Sequence, residues 1–198
     1  AVYPGAGAGL TAAHVQTATD MLTSARVVMA SCEVPLVATR AAFEIARRHD
    51  VLTLLNPAPA MPLPGDLWPL VDVLTPNEGE LLMLADAQDV ETAAQRLLQR
   101  GVGAVVVTLG ERGCALFRAD AEPLYMPGHP MQVVDTIGAG DTFTGTLAAA
   151  LARQAPWPEA LAWANAAAAL STQASGAVTA MPSRAAVQDW LQGASTPQ

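Results

Sequence analysis

Lysine is absent from this chain: all ten basic residues are arginine. A Walker A phosphate loop needs G-K-[ST], so that route to nucleotide phosphates is excluded. Charge is scarce as well, at 14% of 198 residues, with a net balance of −8 and 52% hydrophobic residues. Disordered chains need low hydrophobicity and high charge, so this chain folds. An acidic chain has no basic face to neutralise nucleic-acid phosphates, so nucleic acid is not an expected partner. Cysteine is limited to Cys32 and Cys114. They form no disulfide framework and lie in no C-x-x-C context, so they are read as reduced thiols of a cytoplasmic protein. No apolar run reaches the ~18–20 residues of a membrane span; the alanine-rich stretches 147–152 and 160–170 are short or interrupted, so no membrane is expected. The opening AVYPGAGAG has no initiator Met. It also has no basic segment ahead of an apolar core, so it is not read as a signal peptide.

The length fits one domain over 1–198 at about 150 residues per domain. Near-continuous apolar runs at 26–30, 51–56, 71–75, 103–109, 114–117 and 131–135 predict strands buried on both faces. Between and after them, helices are predicted at 11–24, 35–48, 77–86, 90–100, 139–153, 156–174 and 183–192. Thr11 can cap the first helix, and Pro35 suits the first turn of the second. Strand–helix alternation implies an α/β fold with a largely parallel sheet and helices on both faces. The runs around Gly110-Glu111-Arg112-Gly113 read instead as a hairpin, which makes the sheet mixed. The Pro-rich segment 56–64 follows a strand directly, at the sheet edge where open α/β folds bind ligands.

The segment richest in chemistry is Val134-Asp135-Thr136-Ile137-Gly138-Ala139-Gly140-Asp141-Thr142-Phe143. A strand is predicted to end at Asp135, a glycine-rich turn follows, and a helix of small residues begins. Glycines admit a ligand close to the backbone. Helix N-terminal amides are unpaired and point at an anion. Asp141 puts a carboxylate in that same turn. A proton acceptor beside an anion cradle suits phosphoryl transfer to a hydroxyl. On these residues alone the plainer account stays open: a tight turn, with Asp141 complementing the helix dipole.

The wider string D-T-x-G-A-G-D-T-F resembles the signature of the ribokinase-like (PfkB-type) carbohydrate kinase family. Other segments match the same family in order. Asn56-Pro57-Ala58-Pro59 resembles its N-P-A-P loop, Thr75-Pro76-Asn77-Glu78-Gly79-Glu80 its T-P-N-E-x-E element, and Thr108-Leu109-Gly110-Glu111-Arg112-Gly113 its nucleotide loop. Residues 164–171 and Gly176-Ala177 resemble its C-terminal helix and the following loop. The resemblance covers essentially the whole chain. It implies a three-layer α-β-α ribokinase-like fold, mostly parallel with an antiparallel hairpin, and incomplete at the N-terminus. The family's β-strand lid, an early glycine pair and several sugar contacts would lie in an N-terminal part outside this sequence.

The resemblance implies ATP-dependent phosphorylation of a sugar's primary hydroxyl. Asp141 matches the catalytic base, and the backbone amides of Gly138, Ala139 and Gly140 match the anion hole. Thr108, Gly110, Gly113 and Asn165 match nucleotide-binding positions. Asn77 and Glu80 match an element that orients Mg²⁺ through water, and their spacing puts them on one helix face. Asp135 with the carbonyls of Ile137, Ser171 and Gly176 matches a monovalent-cation loop for K⁺. Ala180 stands where many relatives have Ser. Glu33 matches a ribose-contacting carboxylate, and it tilts the expected substrate to D-ribose and the product to ribose 5-phosphate. The expected partners are a small sugar and ATP, with a homodimer in the full-length protein.

On local sequence alone, other accounts of these residues remain. Asn77 and Glu80 read as a capping box, Glu33 as an N-cap acid, Gly110 and Gly113 as hairpin-turn glycines, and Asn165 as a polar helix-face residue. His14, His49 and His129 share no metal-ligand spacing and read as surface residues. Trp157, Trp163 and Trp190 read as core or interface. Fructokinase, ketodeoxygluconate kinase and nucleoside kinase chemistry remain open, as does a truncated nucleotide-binding fragment without activity. A Rossmann dehydrogenase is disfavoured, because no G-x-G-x-x-G follows a first strand with an acid about 20 residues on.

Overall fold

The computed structural model describes residues 5–194. Six strands form one sheet in the order β1-β2-β3-β4-β5-β6. They are β1 (Val27–Ser31), β2 (Leu52–Asn56), β3 (Val73–Leu74), β4 (Ala104–Thr108), β5 (Cys114–Arg118) and β6 (Ala121–Met126). The first four run parallel. Val27 pairs with Leu52, Leu54 with Val73, and Val73 with Ala104. Long crossover connections separate these parallel strands, the one between β2 and β3 carrying only a 3₁₀ turn at Trp68–Leu70. The loop 109–113 between β4 and β5 is too short for a crossover, so that pair is antiparallel. This is the three-layer α/β fold with a mostly parallel sheet that the alternation predicts.

The helices are α1 (Ala12–Thr17), α2 (Thr19–Ser24), α3 (Leu36–Arg48), α4 (Glu78–Ala85), α5 (Val90–Gln99), α6 (Ala139–Ala152), α7 (Trp157–Ser171) and α8 (Arg184–Ala194). The fold divides into two compact units. One holds the described residues up to Val107 together with Leu116–Pro123. The other holds Thr108–Ala115 together with the described residues from Leu124 onward.

In the first unit α3 begins after Pro35 and packs on β1 and β2. Its buried stripe includes Ala38, Phe43, Ile45 and Ala46. Burying one side chain the size of Phe43 contributes roughly 1.5–3 kcal/mol. Ala38, Ala41 and Ile45 close a small core with Val15 of α1. Arg47 pairs with Asp72. Asp72 also accepts the backbone N–H of Thr53 at 2.8 Å and its hydroxyl at 3.0 Å. At the end of β1, the Cys32 amide donates to the carbonyl of Ala58, whose bond to Pro59 is cis.

In the second unit α6 packs along α7. Ala148 and Ala150 of α6 and Ala160 and Ala164 of α7 are buried, and such small contact residues shorten the interaxial distance. Ala166, Ala167 and Val187 join α7 to α8, with Trp163 and Trp190 packed against them.

Two expectations need correction. The run 131–135 is loop, not strand; Val133 and Val134 are 59% and 63% exposed. The sixth strand lies earlier, at Ala121–Met126. The helix expected over 11–24 is broken at Ala18, where φ is −101° and ψ 12°. Thr17 and Thr19 donate their hydroxyls to the carbonyls of His14 and Gln16, both at 2.7 Å. Such local bonds compete with helix continuation. Thr11 caps α1 as expected, its hydroxyl accepting the His14 amide at 3.3 Å.

Candidate active site

The second unit contains a cleft of about 1050 Å³, a size common for ligand pockets. Three loops and two helices, α6 and α7, build it. The first loop leaves β4 at Thr108 and makes a single 3₁₀ turn, Gly110–Arg112. It closes with the Leu109 amide donating to the Gly113 carbonyl at 2.8 Å. Gly113 has φ +93°, and a Cβ there would meet the Met126 carbonyl and, at 2.6 Å, the Gly128 amide nitrogen. The second loop therefore crosses the first in backbone contact, which only glycine permits. Asn165 of α7 fixes that second loop by donating from Nδ2 to the Pro127 carbonyl at 2.8 Å. Asn165 is buried, so its amide needs such a partner.

The third loop is the glycine-rich turn. Gly138 has φ +79° and forms the N-cap of α6. A Cβ at this position would lie 2.9 Å from Cα of Ala177. The first helical hydrogen bond of α6 runs from the Thr142 amide to the Gly138 carbonyl at 2.9 Å. The Ala139 amide is already donated to the Thr136 carbonyl at 3.2 Å. The free donors of this turn among the described residues are therefore the amides of Gly138, Gly140 and Asp141, whereas the expected Ala139 amide is taken up. The Asp141 carboxylate is exposed, with no bonded partner among the described residues.

Ahead of this turn, Asp135 accepts the Ile137 amide at 3.0 Å and the Gly176 amide at 3.1 Å. These bonds, the Ile137 one foremost, hold its carboxyl below the usual range. The Gly176 carbonyl accepts the Ala180 amide at 3.3 Å, and the Ser171 hydroxyl donates to the Ala168 carbonyl at 2.8 Å. Two of the four groups expected at a K⁺ loop, Asp135 and Gly176, thus have partners within the chain.

Of the expected site residues, Thr108, Gly110, Gly113, Ala139, Gly140 and Asn165 line this one cleft. Gly138 and Asp141 flank them in the same turn. Glu33, Asn77 and Glu80 belong to the other unit. There, Asn77 Oδ1 accepts the Glu80 amide and Glu80 Oε2 the Asn77 amide, each at 2.8 Å. The capping box read as an alternative is thus formed. Glu33 is exposed, and its amide donates to the Ser31 hydroxyl at 3.4 Å. No group of three or more His, Cys, Asp or Glu side chains among the described residues is placed to hold a metal ion.

His129 corrects the sequence reading. It is half-buried in the cleft wall, with Trp190 against it, rather than on open surface. Its position between the hairpin and the glycine-rich turn was the available signal. Arg112 is the cationic side chain lining the cleft. It lies within the matched nucleotide loop, where the motif itself draws attention only to the glycines.

A helix start with free amides beside a cleft of this size is an arrangement that α/β folds use for phosphate groups. The pfkB family carbohydrate kinase model matches residues 1–184, and the chain belongs to that family. A ribokinase of Staphylococcus aureus (strain COL) is 36% identical over 187 residues, 91% of this chain and 61% of that protein. The crystal structure of a ribokinase from Thermotoga maritima superposes with a TM-score of 0.89 at 32% identity, over 97% of this chain and 64% of that one. An Arabidopsis thaliana ribokinase complexed with ribose and ATP gives a TM-score of 0.84 at 33% identity, over 89% and 59%. The chain spans about three-fifths of the length of the curated ribokinases it matches.

Proposed function

We propose that this protein transfers the γ-phosphoryl group of ATP to the primary hydroxyl of D-ribose, giving ADP and ribose 5-phosphate. The observation that carries this reading is the turn at Gly138–Asp141. It combines free amides with an unpartnered carboxylate at the mouth of a helix whose first residues line a nucleotide-sized cleft. In this reading ATP lies along the cleft, with the Thr108–Gly113 loop and Asn165 around it. The Gly140 and Asp141 amides take up the charge of the transferring phosphoryl. Asp141 accepts the hydroxyl proton as the sugar oxygen attacks phosphorus and ADP departs. Catalysis is then positioning and electrostatics, with little covalent chemistry for the protein.

The relatives' names support ribose as the sugar, and Glu33 is the residue assigned to it. Mg²⁺, when bound with the nucleotide, neutralises phosphate charge. Glu80 is the carboxylate assigned to it, through water. No step here relies on K⁺.

The test is phosphorus NMR of the chain with ATP and, separately, ribose, fructose and adenosine. Ribose 5-phosphate and ADP should appear with ribose. ATP binding without phosphorylation of any acceptor would reject the kinase reading and leave a nucleotide-binding protein.

A further inference from the structure

The kinase reading leaves His129, a side chain of the cleft wall, without a task. His129 lines the cleft, and its Nδ1 lies 3.3 Å from the indole Nε1 of Trp190. The two rings meet edge to face, with centroids 5.9 Å apart and planes at 81°. An indole N–H is a donor only, so Nδ1 must accept. A neutral imidazole that accepts at Nδ1 carries its proton on Nε2. Partial burial lowers the His129 pKa, which favours that neutral ring.

The loop bearing His129 is held from two helices. Trp190 of α8 fixes the ring, and Asn165 of α7 fixes the backbone two residues earlier, at Pro127. Asn165 lines the same cleft. With its amide nitrogen donated to Pro127, it keeps its carbonyl oxygen as an acceptor. The cleft therefore presents one donor of fixed tautomer and one acceptor, both on an anchored frame.

We propose that His129 is a nucleobase-contacting residue, donating from Nε2 to a ring nitrogen of the base, with Trp190 as the residue that sets its tautomer. The Asn165 carbonyl then receives an amino group beside that nitrogen. Adenine presents such an edge, a ring acceptor beside an amino donor. This inference rests on the cleft being the ATP site.

The experiment is calorimetric titration of ATP into the full chain and three variants at neutral pH, with nitrogen-15 spectra of the His129 ring. His129→Phe keeps the edge-to-face contact and removes the donor, so the ATP Kd should rise about tenfold. His129→Gln restores an N–H and should recover part of that loss. Trp190→Phe removes the indole N–H, and should raise Kd about threefold while the ring spectrum changes from one tautomer to a mixture. The wild-type ring should show a protonated Nε2 and a bare Nδ1. Unchanged ATP affinity in His129→Phe, or a protonated Nδ1 in the wild type, overturns the inference and leaves the nucleotide site standing. Failure of the wild type to bind ATP overturns both.

Discussion

The Asp135 carboxylate joins two loops that flank the glycine-rich turn, accepting the Ile137 amide at 3.0 Å on one oxygen and the Gly176 amide at 3.1 Å on the other. Gly176 reaches this bond with φ +95°, a conformation costly for side-chain-bearing residues. The turn that opens α6 is thus tied to the loop after α7 by a single ionised group.

That tie should loosen in acid. Its pKa lies below the ordinary Asp value because the ionised form accepts the Ile137 and Gly176 amides. A group depressed in the folded state stabilises that state above its unfolded pKa, about 3.9. The contribution disappears as pH falls through the lower folded value. The amide resonances of Ile137 and Gly176 should therefore stay fixed down to about pH 4 and shift together below it. Asp135→Ala should speed hydrogen exchange at both amides at neutral pH. Amides that ignore both acid and substitution would remove the tie from the account.

Two glycines of the nucleotide loop should respond differently to alanine. Gly110 has φ +62° with open space around its missing Cβ, so Gly110→Ala should cost only the left-handed backbone penalty, about 1–2 kcal/mol. Gly113 has φ +93° and backbone atoms of the second loop where a Cβ would go. Gly113→Ala should cost at least 3 kcal/mol, roughly the upper end of strain plus overpacking, and should weaken ATP binding by displacing the two loops. Urea denaturation of both variants checks the order. Equal losses would mean the loops do not touch as described.

Both thiols should be slow to react in the folded protein. Burial pushes Cys114 up to about 12, and burial reinforced by Glu80 pushes Cys32 up to about 11. The thiolate is the reactive form, so labelling by a disulfide reagent near neutral pH should be slow until the chain unfolds. The linkage runs opposite to that of Asp135. A raised folded pKa stabilises fully below the unfolded thiol value of about 8.5, and this stabilisation is lost as pH rises above it. Thermal midpoints should fall between about pH 9 and 11, and the fall should shrink in Cys114→Ala. An alkaline profile that the substitution leaves unchanged would count against the thiol as its cause.

What the sequence made legible follows from how strongly burial writes itself into residue choice. Strands β2, β4 and β5 are apolar because both faces are covered, while the edge strand β1 leaves Met29 half exposed; all four fall within a residue or so of their predicted runs. The edge strand β6 escaped. Its residues Ala121-Glu122-Pro123 are exposed, and a proline is tolerated where no neighbour needs the amide. The run at 131–135 carries the opposite message, because valines that line or border a cleft look like core valines. The cleft residues Thr108, Gly110, Gly113 and Gly140 could be read from motif and glycine spacing. For His129 position between the hairpin and the turn was the one cue, because the contact that orients its ring comes from Trp190, 61 residues away in sequence. The hydrogen bond that takes up the Ala139 amide was equally hidden, since it depends on how the turn closes on Thr136.

The sharpest test of the proposed chemistry lies at Asp141. Its carboxylate is exposed and unpartnered among the described residues, so replacing it removes no structural bond. Its position in the first turn of α6 adds at most a dipole contribution of about 0.3–1 kcal/mol. Asp141→Ala should therefore leave folding and ATP affinity close to wild type. If the side chain accepts the sugar's proton, kcat should fall at least ~100-fold, the range for loss of a general base. A dipole or capping role predicts the reverse pattern: a lower unfolding midpoint with turnover preserved. Asp141→Asn separates the two further, since it keeps the size and polarity of the side chain while losing the basic oxygen. Turnover as low as in the alanine variant, with ATP still bound, would assign the proton to this group, whereas near-normal turnover in the asparagine variant would take it away.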